Sequence, residues 1–397
     1  MIKINNLGYK SLNILILLFI VGISFNLKAE PIFKVKTDLF NLTQPDTLGL
    51  TQANHVEHIK VFNAVKDKAQ YNHGAVLFGF KNQLFIQWQS SKQDEDGPDT
   101  HVLYSTSQTG KNWSQAKTLA PERSNAIVTS GGWWSDGKTL VAFINVWPKN
   151  LQPKAGHVEY ATSTDGINWS EFLPVLDKNN HPIKGIMEQD LKALPNGRIL
   201  TAIHIQPGLI ATPFYTDDPL AISGWQQAEF TNLEHKGDIS RELEPSWFLK
   251  ANGDIAMVFR DQASSFKVLA ALSKNNGESW SLAQLTNMPD SRAKQSAGNF
   301  TNGMAYLVNN PTGNKNRMPL VVSLSQTGEY FDQAYILRGK TDLPPMRYQG
   351  KYKRVGFSYP KSLVFQGKLW VSYAVNKEDI AVTSLDLAQF EQAHAKQ

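Results

Sequence analysis

The chain has 397 residues, no cysteine, and 40 basic against 35 acidic side chains. The missing thiol excludes disulfides, a lipid-anchored cysteine and Cys-ligated metal, and suits an oxidising compartment. Three Lys and no acid lie in residues 1–29, so residues 30–397 carry 37 basic and 35 acidic groups, a balance that argues against nucleic-acid or membrane-surface partners.

Lys3 and Lys10 precede "LNILILLFIVGISF" (12–25), an apolar run of 14, and "NLKA" follows. This is the layout of a secretory signal peptide, and the run is short for a membrane span. Cleavage is expected after Ala29, with a secreted or periplasmic product. No Pro/Ser/Gly linker divides residues 30–397, which read as a single domain. The segment near "IFKVK" (32–36) is expected to pair with the last repeat. His55 and His58 in "HVEH" have metal-compatible spacing but no visible third partner. No metal or other cofactor is expected.

From residue 60 onward one unit recurs. "STSQTGKNW" ends at Trp113, "TSTDGINW" at Trp169, a divergent "YTDDPLAISGW" at Trp225, "SKNNGESW" at Trp280 and "SLSQTGEYF" at Phe331. The intervals are 56, 56, 55 and 51 residues. Between the turns lie hairpins such as "LPNGRILTAIH" and "WSDGKTLVAFI", with Asn-Gly or Asp-Gly joining apolar runs. A period near 55 made of short strands predicts an all-β fold, a six-bladed β-propeller with four antiparallel strands per blade.

In such a ring the start of each inner strand neighbours the end of the next strand. A spacing of 16 pairs His73 with Gln89, Glu188 with His204, Glu244 with Arg260, Lys294 with Asn310, and Tyr359 with Val375, followed by Asn376 and Lys377. Converging polar groups at one mouth read as a site, although strand ends are also simply wet. Trp133, Trp134 and Trp147 suit either sugar stacking or blade packing. Arg260 is a planar cation suited to a carboxylate or sulfate. A carboxylate beside a Tyr can draw its proton and make the phenol a nucleophile.

The repeated turns resemble the Asp-box, Ser-x-Asp-x-Gly-x-Thr-Trp, of the sialidase-like propeller superfamily. The copies are degenerate, with Gln108, Thr164, Asn275 and Gln326 in the Asp slot. The resemblance extends to site residues over most of residues 60–390. Sialidases carry a Glu, an Arg 16 residues later, an Arg opening a strand before a late Asp-box, and a Tyr near the C-terminus. Glu244, Arg260, Arg317 and Tyr359 follow that order. The resemblance implies a Glu244–Tyr359 nucleophilic pair, an anion clamp of Arg260 and Arg317, and an acid/base Asp in "QDEDGPD" (93–99), with Asp94, Asp96 and Asp99 as candidates. One departure stands out. His73 occupies the slot where a sialidase has its first arginine, so it becomes a substrate contact or proton carrier.

The expected activity is a sialidase-like retaining glycoside hydrolase acting on an acidic polysaccharide or oligosaccharide, as a monomer. Glu188, His204, Lys294, Asn310 and Lys377 are the further substrate-binding candidates. Two other readings stay open. Propeller ulvan lyases resemble this chain in their His, Tyr and Arg, with His73 or His204 as base, Tyr359 as acid and Arg260 neutralising a uronate. A non-catalytic glycan-binding propeller is the third. The basic loop "RYQGKYKR" (347–354) suits an anionic polymer or a solvated surface equally.

Overall fold

Short apolar runs divided by Gly, Asn and Asp turns cannot bury themselves singly. In the computed structural model, which describes residues 30–388 and 390, they pair into six antiparallel sheets, and the stretch expected to be a signal peptide lies outside the described residues. Blade one is Tyr71–Phe80, Gln83–Ser91, His101–Ser107 and Lys117–Ala120. Blade two is Ala126–Ser135, Leu140–Pro148, His157–Ser163 and Leu173–Pro174. Blade three has a divided inner strand, Gly185–Met187 and Lys192–Ala193, both paired with Ile199–Ile205, then Ile210–Thr216 and Gln226–Gln227. Blade four is Glu242–Leu249, Ile255–Asp261, Lys267–Ser273 and Gln284–Pro289. Blade five is Ser296–Asn299, Ala305–Asn309, Leu320–Ser325 and Gln333–Arg338. Blade six is Phe357–Phe365, Lys368–Val375 and Asp379–Asp386, completed by Val56–Phe62. Inner strands lie side by side from blade four through six and one to two, and blade three packs between blades two and four through other strand pairs, which makes the array a six-bladed β-propeller.

The ring closes with a different segment from the one expected. Val56–Phe62 pairs antiparallel with the last strand, Val56 opposite Leu385. His58 therefore sits in the closing strand, where its Nδ1 meets Thr383 Oγ1 at 3.1 Å. The "IFKVK" segment goes elsewhere. Lys34–Val35 runs parallel to Tyr330–Phe331, and Val35 exchanges two 2.8 Å hydrogen bonds with the Asn287 amide. The reason is apolar. Phe33 is buried against Phe248 and Phe331, with ring centroids at 6.0 and 5.2 Å, so this segment seals the seam between blades four and five.

The repeated turns are inter-blade pins, and the constant element is a serine hydroxyl. Ser107, Ser163, Ser273 and Ser325 each accept the N–H of the turn glycine, at 2.8, 2.8, 3.0 and 2.9 Å. The expected Asp slot is partly displaced. In the second copy Asp165, not Thr164, takes the N–H groups of Ile167 and Asn168, both at 2.8 Å. In the third, Asn275 accepts from Ser279 at 3.0 Å as expected. The glycines Gly110, Gly166, Gly277 and Gly328 all have φ between 73° and 84°. A Cβ at these positions would lie 2.1 Å from Trp370, 2.4 Å from Phe85, 2.5 Å from Leu200 and 3.0 Å from Phe248. Each neighbour belongs to the preceding blade, so each turn is pressed onto the sheet before it.

Gly110→Ala adds a methyl against the Trp370 ring and forces a positive φ on a Cβ-bearing residue. It is expected to destabilise the protein by about 2–4 kcal/mol. Gly253→Ala, at φ 88° with nothing within 4 Å, carries only the backbone penalty, about 1 kcal/mol. Denaturant midpoints of the two variants measure the difference, and equal losses would refute the packing role of the turn.

Candidate active site

Four inner strands break register at the same depth. The bulges fall between His73 and Val76, Ser130 and Gly132, Leu243 and Ser246, and Ser358 and Lys361. Blades one and two place glycines there, Gly74 and Gly132, at φ 62° and 101°. Blades four and six place Glu244 and Tyr359 there, at φ 52° and 56°, a region that side-chain-bearing residues seldom adopt. Each is followed by a proline, Pro245 or Pro360, which has no N–H for the ladder and so fits a bulge. A bulge re-aims a side chain. Here it brings Glu244 and Tyr359 together from blades on different sides of the ring.

The Tyr359 hydroxyl donates a short hydrogen bond to Glu244 Oε1. Arg260 Nη1 bridges the pair, 3.0 Å from Glu244 Oε2 and 3.3 Å from the Tyr359 oxygen. Its Nη2 donates to Gln262 Oε1 at 2.8 Å. Burial raises the Glu244 carboxyl, but the charges of Arg260 and Lys294 and the bonds from Tyr359 and Arg260 outweigh it, so Glu244 is held below the ordinary range. Burial, reinforced by the Glu244 charge, pushes Tyr359 well above its ordinary value. The pair is therefore a carboxylate holding a neutral phenol. Arg317 lies over the Tyr359 ring at 5.3 Å and donates from Nη1 to Ser358 Oγ at 2.8 Å.

Three further groups back this pair. His73 packs on Tyr359 with ring centroids 4.2 Å apart. It is 1% exposed, and neither ring nitrogen has a hydrogen-bond partner. Burial, with Lys377, Arg317 and Lys294 around it, drives its pKa well below the ordinary value, so the imidazole is neutral. Glu188 binds His204 Nδ1 at 3.3 Å and Lys294 at 2.6 Å. His204 Nε2 in turn faces the main-chain N–H of Glu244 at 3.5 Å. Lys294 also donates to Gln189 Oε1 at 2.8 Å. Gln189 lies between the two halves of the blade-three inner strand, a break that lets its side chain reach Ser130 on the neighbouring blade two.

A cavity of about 220 Å³ opens beside the pair, and all six blades contribute to its wall. His73, Glu188, His204, Glu244, Lys294 and Tyr359 line it, as the matched spacing predicts for a common mouth. Asp96 lines it too, whereas Asp94 and Asp99 do not. Asp94 accepts the Lys351 N–H at 2.7 Å and Asp99 the Lys92 N–H at 2.7 Å, both loop ties. Asn310 is away from the wall, its amide donating to the Pro319 carbonyl at 3.0 Å. Arg260, Arg317 and Lys377 do not line it either; Arg260 touches both Glu244 and Tyr359, and Arg317 lies over the Tyr359 ring. Lys377 pairs with Glu95 and sits 5.8 Å from the Tyr359 ring. Glu95 is a wall residue that hairpin spacing does not reach, although it lies in the acidic loop 93–99. Of the three tryptophans only Trp147 faces the cavity, its indole N–H fixed by Thr129 Oγ1 at 2.9 Å. Trp133 is buried against Phe85 and Trp169, and Trp134 donates to the Pro219 carbonyl. The 347–354 loop is largely tied down, with Arg347 on Glu378 and Asp379 and Lys353 on Glu378. Among the described residues no group of three His, Asp or Glu side chains is placed to hold a metal ion.

Residues 82–371 match the BNR repeat-like domain family. No curated protein sequence matches the chain. Among solved structures, it is similar to a sialidase at 18% identity and TM-score 0.58, over 89% of this chain and 35% of that one, so it spans about a third of that protein. It is similar to the Hadza microbial sialidase Hz136 at 12% identity and TM-score 0.66, over 84% of this chain and 69% of that one. The intramolecular trans-sialidase from Ruminococcus gnavus, solved in complex with oseltamivir carboxylate, aligns at 11% identity and TM-score 0.62, over 83% of this chain and 97% of that one. At these identities the likeness is one of fold. The matched pattern, the six sheets and the pinned serine-glycine turns agree, and the chain belongs to the BNR repeat-like domain family.

Proposed function

We propose that this chain is a secreted glycoside hydrolase that cleaves the bond to an acidic sugar with retention of configuration. The reading is carried by the Tyr359–Glu244 hydrogen bond with Arg260 bridging both partners. A phenol with a raised pKa is a poor nucleophile alone, and a carboxylate hydrogen-bonded to it supplies the base. In the first step the Tyr359 oxygen attacks the anomeric carbon as its proton passes to Glu244. Asp96, on the cavity wall, protonates the departing oxygen. In the second step Asp96 takes a proton from water, the water oxygen attacks the same carbon, and the tyrosinate leaves and recovers its proton from Glu244. Arg260 and Arg317, beside the pair and not on the wall, supply the positive field that draws the sugar's acid group, and Arg260 keeps Glu244 ionised between turnovers. His73, neutral and with both nitrogens free, contacts the sugar where a fixed cation stands in sialidases. Secretion follows from the N-terminal sequence alone.

A lyase reading is favoured by one observation, the neutral His73 imidazole beside Tyr359. In that chemistry His73 removes a proton next to a uronate carboxylate and Tyr359 protonates the leaving oxygen. The products differ. A hydrolase yields new reducing ends without ultraviolet absorbance, and a lyase yields an unsaturated uronate that absorbs.

Tyr359→Phe is expected to lower kcat on an acidic oligosaccharide by on the order of a thousandfold or more. A variant that keeps its rate removes Tyr359 as nucleophile. A second expectation concerns pH. Burial, against the pull of Glu95, brings Lys377 down to about 8. Above that pH the ammonium is lost, Glu95 is left without its counter-charge at the cavity wall, and activity falls. Lys377→Arg, which stays charged, is expected to move the alkaline limb of kcat/KM upward by about one unit or more. Melting curves over the same pH range separate this from unfolding.

A further inference from the structure

The ring encloses a second cavity, of about 270 Å³, that neither Tyr359 nor Glu244 lines. It lies further along the inner strands than the active-site cavity. Phe78 follows His73, Asn299 follows Lys294 and Val364 follows Tyr359, each by five residues, which sets the two cavities roughly 15 Å apart along the chain direction. Gln189 belongs to both walls, and no other residue does. It acts as a partition. Its amide nitrogen donates to the Ser130 carbonyl at 2.8 Å and to Ser130 Oγ at 2.7 Å, and its oxygen accepts from Lys294 at 2.8 Å.

The inner end of this second cavity is charged and buried. Lys361 of blade six reaches Asp190 of blade three, on the opposite side of the ring. Lys361 is 4% exposed and Asp190 7%. Asp190 is well supplied with donors, since Oδ2 also takes the Ser246 hydroxyl at 2.5 Å and the Lys192 ammonium at 3.1 Å. Lys192 gives its remaining N–H groups to the carbonyls of Trp247 and Ala297, at 2.5 and 2.8 Å. Lys361 has no such outlet. An ammonium carries three N–H groups, and among the described residues the one acceptor for them is Asp190 Oδ1. Burial, against the pull of Asp190, brings Lys361 down to about 8, as expected of an enclosed cation with a single partner. Tyr306 adds another donor to the wall. Ser362 Oγ donates to its oxygen at 3.1 Å, and no described acceptor takes the Tyr306 proton. Burial pushes that phenol up, so the proton stays on it. Two ammonium groups thus share one carboxylate, beside N–H and O–H donors that remain unused. The outer end is apolar, with Phe78, Trp134, Leu363 and Val364 half-buried around it.

We propose that this cavity binds a small organic carboxylate, its acid group on Lys361 and Tyr306 and its apolar body against Phe78, Trp134, Leu363 and Val364. An inorganic anion would leave the apolar end uncovered, and a neutral body would leave the Lys361 donors unmet. Isothermal titration of the whole protein with benzoate, benzyl alcohol and acetate separates the charge from the body, and no turnover is needed. Benzoate should bind about tenfold or more tightly than either of the others. Lys361→Met should weaken benzoate binding about tenfold or more by removing a charge-assisted bond, while Asp190 keeps its bonds from Lys192 and Ser246. Tyr306→Phe keeps the ring stacked on Phe300 at 4.9 Å, so it tests the site even if Lys361→Met folds poorly, and it should cost about fivefold. Tyr359→Phe should leave benzoate binding unchanged, which separates this cavity from the catalytic one. Absence of saturable benzoate binding overturns the proposal. So does benzyl alcohol or acetate binding as tightly as benzoate. Benzoate binding that survives both Lys361→Met and Tyr306→Phe, or that is lost in Tyr359→Phe, places the ligand elsewhere and overturns it as well.

Discussion

A kink repeated at one depth of the inner strands decides what this molecule holds at its axis. A regular strand sends alternate side chains up and down its sheet, into the packing between blades. The bulges at Gly74, Gly132, Glu244 and Tyr359 interrupt that alternation at one level of the ring. Two of them are filled by glycine, which leaves room, and two by side chains that fill it. The strained backbone at Glu244 and Tyr359 persists because Pro245 and Pro360 remove competing ladder bonds and the rest of each sheet holds its ends. Without those two kinks the carboxylate and the phenol would point into different blades.

The electrostatics follow from this placement. Once Glu244 and Tyr359 meet in a dry centre, neighbouring cations keep the carboxylate ionised, while burial and the carboxylate's own charge keep the phenol neutral. Arg260 is the shared partner, and Lys294, anchored by Glu188, adds to the same field. Burial, with Lys377, Arg317 and Lys294 around it, keeps the His73 imidazole neutral. An imidazole in the place of a fixed cation changes the kind of hydrogen bond offered to a ligand. The positive charge around the pair comes from Arg260, Arg317 and Lys294.

Much of this is legible in the amino-acid sequence. Trp and Phe at intervals of 51 to 56 residues require a repeating sheet, and the repeat defines the ring. The 16-residue spacing places His73 opposite Gln89, as observed. It also brings Glu244 to Arg260, although the observed partner of Arg260 in register is Leu243. The bulge restores the side-chain contact that the register loses. Its signal is present, since a proline inside an apolar strand pattern marks a bulge, in "LEPSWFL" and in "FSYPKSLV". Other features are not readable from the residues. Phe33 draws "IFKVK" to a seam between two blades, and no local pattern distinguishes that from edge pairing. Asp165 rather than Thr164 holds its turn because the serine that pins the glycine sits one position later than in the motif. The role of Lys377 and Glu95 depends on side chains 282 residues apart meeting, which spacing within one hairpin cannot reveal.

The composite sixth sheet has a consequence for how the chain comes together. Its outer strand, Val56–Phe62, is made early, and the three strands it joins are made last. Five sheets can assemble as an open arc while synthesis proceeds, but the arc keeps two bare edges until its own tail arrives. Contacts of such long sequence separation form slowly. The latch is therefore the final event of assembly, and the nascent protein is most exposed to stray strand pairing just before its closing strands appear.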